Sequence, residues 1–116
     1  MSKLYEAWQF IPGWARRYSA STLGKIRREA TVTSRDQRIK SKIMEPQIHR
    51  GRRIVKLGSG RDARRRYVAA LVLAAFGRPR PTKNAGVVFK NGSREDCRLS
   101  NLEWTPTSRR PEEVDS

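Results

Sequence analysis

The sequence has little of the two residue types that most often bind transition metals. It contains one cysteine and one histidine in 116 residues. A single cysteine excludes an internal disulfide, and one cysteine with one histidine falls short of the roughly four ligands that a structural zinc site needs. The sequence therefore predicts a fold that neither disulfides nor zinc stabilise.

Long hydrophobic runs are also missing. The longest apolar stretch, residues 68–76, is far shorter than the roughly 20 residues that cross a bilayer. The N-terminus shows no signal-peptide pattern. We therefore expect a cytoplasmic protein with no membrane partner.

Negative charge is scarce as well. Lysine and arginine number 26 against 11 acidic residues, which gives a net charge of +15, and residues 16–66 contain 17 of the basic residues but only 4 acidic ones. Such a field destabilises a compact fold unless a polyanion shares the surface, and arginine suits bidentate contact with phosphate. The candidate nucleic-acid contacts are Arg16, Arg17, Lys25, Arg27, Arg28, Arg50, Arg52, Arg53, Arg64, Arg65 and Arg66.

Residues 87–104 carry the most informative motif. They read VVFKNGSREDCRLSNLEW, with an Asn-Gly turn at residues 91–92, an arginine at position 98 and Asn-Leu-Glu-Trp at residues 101–104. In spacing they resemble the metal-binding hairpin of HNH homing-type endonucleases. The resemblance implies a ββα-metal type hairpin.

The residues that would cut are missing from this motif. The family's Asp-His pair falls on Val88 and Phe89, which offer neither a metal ligand nor a general base. Two ligand positions remain polar, Asn101 and Asp96, the latter where the family usually has asparagine. We interpret Asn101 as a turn-fixing amide and Asp96 as a solvated loop carboxylate. The sequence thus predicts degenerate HNH positions without catalytic residues, metal or cofactor.

The first third of the chain carries a second motif. Residues 6–14 read EAWQFIPGW and residues 18–27 read YSASTLGKIR. This pattern closely resembles the NUMOD-type module found at the front of many phage and intron HNH endonucleases. The resemblance implies a contribution to DNA binding.

These motifs predict an α+β fold with three parts. Residues 1–80 would form a small β-rich, NUMOD-like unit with one short core helix at residues 68–76, and residues 29–42 would form a loop or mobile arm. Residues 81–110 would form the degenerate HNH-like hairpin with a truncated final helix. An acidic tail would occupy residues 111–116.

The leading functional interpretation is a nucleic-acid-binding protein on a catalytically inactive HNH endonuclease scaffold, clamping phosphates with arginines. Duplex DNA is favoured as the partner, and structured RNA remains open because A-form RNA suits the same arginines. One alternative is a phage-type regulatory protein that binds a host machine such as RNA polymerase or the ribosome, in the host cytoplasm. The other is an active HNH endonuclease with a rearranged metal site.

Overall fold

The computed structural model describes residues 6–32, 34–58, 60–78, 80–82 and 85–105. Within these ranges the chain forms eleven short strands and one α-helix. In chain order they are β1 (Trp8–Phe10), β2 (Tyr18–Ser21), β3 (Ile26–Arg28), β4 (Thr31–Val32), β5 (Arg38–Ile39), β6 (Lys42–Met44), β7 (Gln47–His49), β8 (Arg52–Leu57), β9 (Arg64–Tyr67), α1 (Val68–Ala75), β10 (Val87–Phe89) and β11 (Leu102–Trp104). The predicted final helix beyond Thr105 and the acidic tail lie outside the described residues.

Small antiparallel sheets make up most of the fold. One has four strands in the order β1-β2-β3-β6, and another has three in the order β7-β8-β9. Two hairpins, β4-β5 and β10-β11, complete the strand pairing in the described ranges. The architecture is thus α+β, built from small β-sheets around one helix.

The helix α1 lies at the centre of the core, as its apolar run predicts. It contacts β2, β8, β9 and β11, and Val72 and Leu73 are fully buried. It ends where expected, because Phe76 is the C-cap and Gly77 adopts a left-handed φ of 75° that glycine tolerates best. None of the described helices is long and apolar enough to cross a membrane.

The prediction of a loop or mobile arm at residues 29–42 is wrong. This segment contains the β4-β5 hairpin, in which Thr31 pairs with Ile39 and Val32 with Arg38, and it continues into β6. Every described residue from 30 to 43 is exposed. A ribbon that buries neither face leaves no apolar alternation in its sequence, which is why periodicity did not reveal it.

One hydrophobic core includes residues from both sides of the predicted boundary at residue 80. Ile11, Tyr18 and Ile26 belong to the same buried cluster as Cys97 and Leu102. A backbone hydrogen bond joins the same two parts of the chain, because the Leu99 N–H donates to the Thr22 carbonyl at 2.8 Å. The motif at the front of the chain therefore packs directly against the hairpin at its end.

Candidate nucleic-acid interface

The β10-β11 hairpin contains Val88 and Phe89, the two apolar positions of the predicted HNH-like motif, which as strand neighbours point to opposite faces. Val88 pairs with Glu103 and Phe89 pairs with Leu102. Both Val88 and Phe89 are half-buried, and Phe89 packs against the central cluster. The Asn-Gly turn begins the loop of residues 90–101 that joins the two strands, with the Gly92 N–H donating to the Phe89 carbonyl at 2.8 Å.

The Asn101 amide is used entirely inside the hairpin. Its Oδ1 accepts a hydrogen bond from the Asn91 N–H at 2.9 Å, and its Nδ2 donates to the Asp96 carbonyl at 2.9 Å. Only 6% of Asn101 is exposed. A buried amide whose two ends fix two backbone segments stabilises the loop between the strands.

Asp96 is held by the same loop. Arg98 donates two hydrogen bonds to its carboxylate, at 2.8 Å from Nε and 2.7 Å from a terminal nitrogen, and Asn91 Nδ2 donates a third at 2.7 Å. These bonds, to Arg98 above all, hold the pKa of the Asp96 carboxyl well below its usual range. The carboxylate is therefore charged at neutral pH and paired with Arg98. Within the described ranges, no three His, Cys, Asp or Glu side chains come close enough together to hold a metal ion.

Cys97, between these polar residues, faces the core. It is 5% exposed, and burial raises the pKa of its thiol to about 11. Because the thiolate is the reactive form, we expect native Cys97 to react with a thiol reagent at pH 8 at least about 100-fold more slowly than in urea. The measurement is the release of thionitrobenzoate from Ellman's reagent with and without denaturant. Fast reaction of the native protein would contradict the packing of this loop on the core.

The candidate basic residues lie on several elements. Arg16 and Arg17 are exposed between β1 and β2, Lys25 and Arg28 are exposed at and beside β3, and Arg50 is exposed in the β7-β8 turn. The basic residues on or beside the four-stranded and three-stranded sheets do not all share one face, because neighbouring residues on a strand point to opposite faces. The runs that are continuous in sequence are therefore divided in the fold.

The run Arg64–Arg66 shows this division. In the β8-β9 register, Arg65 lies opposite Lys56, whereas Arg64 and Arg66 lie opposite the buried Leu57 and Val55. The guanidinium group of Arg64 donates to two backbone carbonyls, and that of Arg66 donates to the carbonyl of Arg65. Arg65 thus shares a sheet face with Lys56, while its two neighbours share the opposite face.

Arg27 and Arg53 make contacts within the protein. The Arg27 guanidinium carbon lies 4.1 Å from the centre of the Trp8 ring, and its Nε lies 3.0 Å from Glu29. Arg53 reaches Glu95 at 4.0 Å, and its buried Nε has no hydrogen-bond partner among the described residues. Both arginines contribute to packing between elements as well as to surface charge.

Sequence reasoning named Arg16 and Arg52 as candidates but missed that they stack on aromatic rings, and it missed Arg80. Arg16 lies over Phe10 at 5.7 Å, Arg52 over Tyr67 at 5.5 Å and Arg80 over Trp104 at 5.1 Å. Arg80 was not a candidate at all. No short-range signal in the sequence indicates such pairs, because the partners are brought together by strand pairing and by the packing of the hairpin.

Comparison with known proteins supports the motif at the front of the chain and the overall fold. Residues 6–58 match the model of the NUMOD4 motif. A solved structure described as "DNA binding and cleavage by the HNH homing endonuclease I-HmuI" is similar with a TM-score of 0.65 at 20% sequence identity, covering 94% of this chain and 55% of that chain. The chain spans about half the length of that endonuclease. None of the curated proteins matches. The chain combines a match to the NUMOD4 motif over residues 6–58 with a fold similar to that of an HNH homing endonuclease.

Proposed function

We propose that this protein binds nucleic acid, with duplex DNA as its first partner, and that it does not hydrolyse it. The binding half of the proposal is supported by the NUMOD4 motif and by the fold shared with an endonuclease that binds and cleaves DNA. It is also supported by the 17 basic against 4 acidic residues in segment 16–66. Phosphate contacts from these residues supply affinity with little reading of base sequence.

The proposed loss of cleavage rests on one observation, the residue types and hydrogen bonds found at the degenerate HNH positions. Asn101 uses both ends of its amide on the hairpin backbone, and Asp96 is paired with Arg98. Val88 and Phe89 supply neither a metal ligand nor a proton acceptor. A hard cation needs several well-placed oxygens, and the polar groups here already bind one another.

The direct test is a nicking assay on supercoiled plasmid with magnesium or manganese. We expect the protein to retard the plasmid on a gel and to leave it supercoiled in either metal. Asp96→Asn is the matched variant, since it removes the charge and keeps the shape. Nicking by the natural protein that Asp96→Asn abolishes would establish a rearranged metal site and overturn the proposal.

The partner class is tested separately with matched DNA and RNA duplexes. If the protein binds the RNA duplex more tightly than the DNA duplex at the same salt concentration, RNA replaces DNA as the proposed first partner. A host protein that stays bound after nuclease treatment, together with no affinity of the purified chain for either duplex, would refute nucleic-acid binding.

A further inference from the structure

Two cations face each other across neighbouring strands of the β7-β8-β9 sheet. The register places Lys56 of β8 directly opposite Arg65 of β9, so both side chains project from the same face. Both are exposed, and neither forms an ion pair with a carboxylate in the described part of the chain. Like charges directly opposite each other destabilise a strand pair. The sheet therefore carries an unfavourable pair that the described structure does not offset.

This pair borders a cavity. The cavity, about 350 Å³, is lined by Lys56 and Arg65 together with Met44, Glu45 and Gln47. It lies where the edge strand β6 of the four-stranded sheet approaches the three-stranded sheet. Glu45 is the one acidic residue in the lining, and among the described residues it makes no ion pair with either cation within 4.0 Å. The two cations are thus in excess at a concave, polar site.

A second pair of like charges lies on the four-stranded sheet. Arg28 of β3 is directly opposite Lys42 of β6, in the register that also pairs Ile26 with Met44. Lys42 and Met44 share a face and are two residues apart, which separates them by about 7 Å along the strand. Since Met44 lines the cavity, Lys42 lies two residues from the cavity lining along β6.

We propose that Lys56 and Arg65 form a phosphate-binding site at this cavity, and that its ligand is a phosphate of the nucleic-acid backbone. An anion between them turns the repulsion of the pair into two attractions. Arg65 supplies a planar fork for two phosphate oxygens, and Lys56 supplies a compact charge. The assignment of the ligand to nucleic acid rests on the proposed function, whereas the phosphate site rests on strand register and the cavity.

The first experiment uses the free protein and inorganic phosphate. Thermal unfolding is measured in sodium phosphate and in sodium chloride of equal ionic strength. The variants are Lys56→Gln and, as the control, Lys90→Gln, which removes the same charge from an exposed residue after β10. In chloride, Lys56→Gln is expected to unfold about 2 °C higher than the natural protein because the repulsion is relieved. In phosphate, the natural protein and Lys90→Gln gain about 4 °C, and Lys56→Gln gains less than half as much.

Two results would overturn the site. One is a melting temperature of Lys56→Gln in chloride equal to or below that of the natural protein, since no repulsion would then exist to relieve. The other is equal stabilisation by phosphate in all three proteins, since the anion would then bind elsewhere.

The second experiment identifies the source of the phosphate. For a duplex, the slope of log affinity against log salt is expected to be smaller by about one unit in Lys56→Gln and unchanged in Lys90→Gln. Loss of the phosphate response without a change in slope would assign the site to a free phosphate. If the natural protein binds no nucleic acid but still responds to phosphate through Lys56, the proposed function fails and the site stands. If the protein binds the duplex but phosphate does not raise its melting temperature, the proposed site is refuted and the proposed function stands.

Discussion

Duplex affinity is expected to fall about a thousandfold between 50 and 200 mM salt, because some six phosphate contacts each release a counterion on binding. Residues 16–66 have an excess of 13 positive charges, 17 basic less 4 acidic, so six contacts require fewer than half of the basic residues in that segment. The measurement is fluorescence anisotropy of a labelled duplex of about 20 base pairs, long enough for six phosphate contacts, at four or more chloride concentrations. A plot of log affinity against log salt should have a slope of about −5.

The same measurement locates the contacts. Replacing Arg64, Arg65 and Arg66 together by Ala should weaken binding to unrelated duplexes alike, since phosphate contacts carry no base information. Arg65→Ala alone should account for most of that loss, because the guanidinium groups of Arg64 and Arg66 already donate to backbone carbonyls. A flat salt response would refute the phosphate clamp, and an unchanged affinity of the triple variant would show that β9 faces away from the nucleic acid.

The elements that bury many apolar residues were predictable from the sequence. The run from Val68 to Ala75 predicts α1, and the Gly77 signal predicts its end. The alternation of Val55 and Leu57 is typical of a strand such as β8, and the resemblance of residues 87–104 to the HNH hairpin implied the β10-β11 pair. In each case burial requires apolar residues at certain positions, or a turn requires a particular residue type, and both requirements are visible in the sequence.

The features that depend on register were not predictable. Lys56 opposite Arg65 and Arg28 opposite Lys42 become neighbours only once the strands are paired, since nothing local in the sequence specifies those partners. The β4-β5 hairpin escaped prediction for a different reason, because exposed strands have no buried face to impose alternation. The candidate site was therefore found by residue type, and its arrangement was found only from the fold.

A substitution at the contact between the front motif and the β10-β11 hairpin has the largest expected effect on the free energy of unfolding. Gly24, in the turn between β2 and β3, has a φ of 85°, and a Cβ there would lie 2.7 Å from the carbonyl oxygen of Cys97. That oxygen belongs to the backbone of the hairpin loop, so it cannot move aside as a flexible side chain would. The nearby hydrogen bond from the Leu99 N–H to the Thr22 carbonyl, at 2.8 Å, holds the same two segments together. Gly24→Ala must therefore separate them or distort both.

Gly13→Ala is the matched control, because Gly13 has a nearly equal φ of 86° but a Cβ added there would have nothing within 4 Å. Left-handed backbone alone costs an alanine roughly 1–2 kcal/mol, so Gly13→Ala should lower the free energy of unfolding by about that amount. Gly24→Ala adds the backbone collision and should lower it by roughly 4 kcal/mol, a large part of the total for a small domain. Urea unfolding of the two variants measures the difference, and Ellman's reagent should react faster with Cys97 in Gly24→Ala because the loop around it is displaced. Equal destabilisation of the two variants, with Cys97 still protected in both, would mean that the front motif and the hairpin do not pack together at this contact.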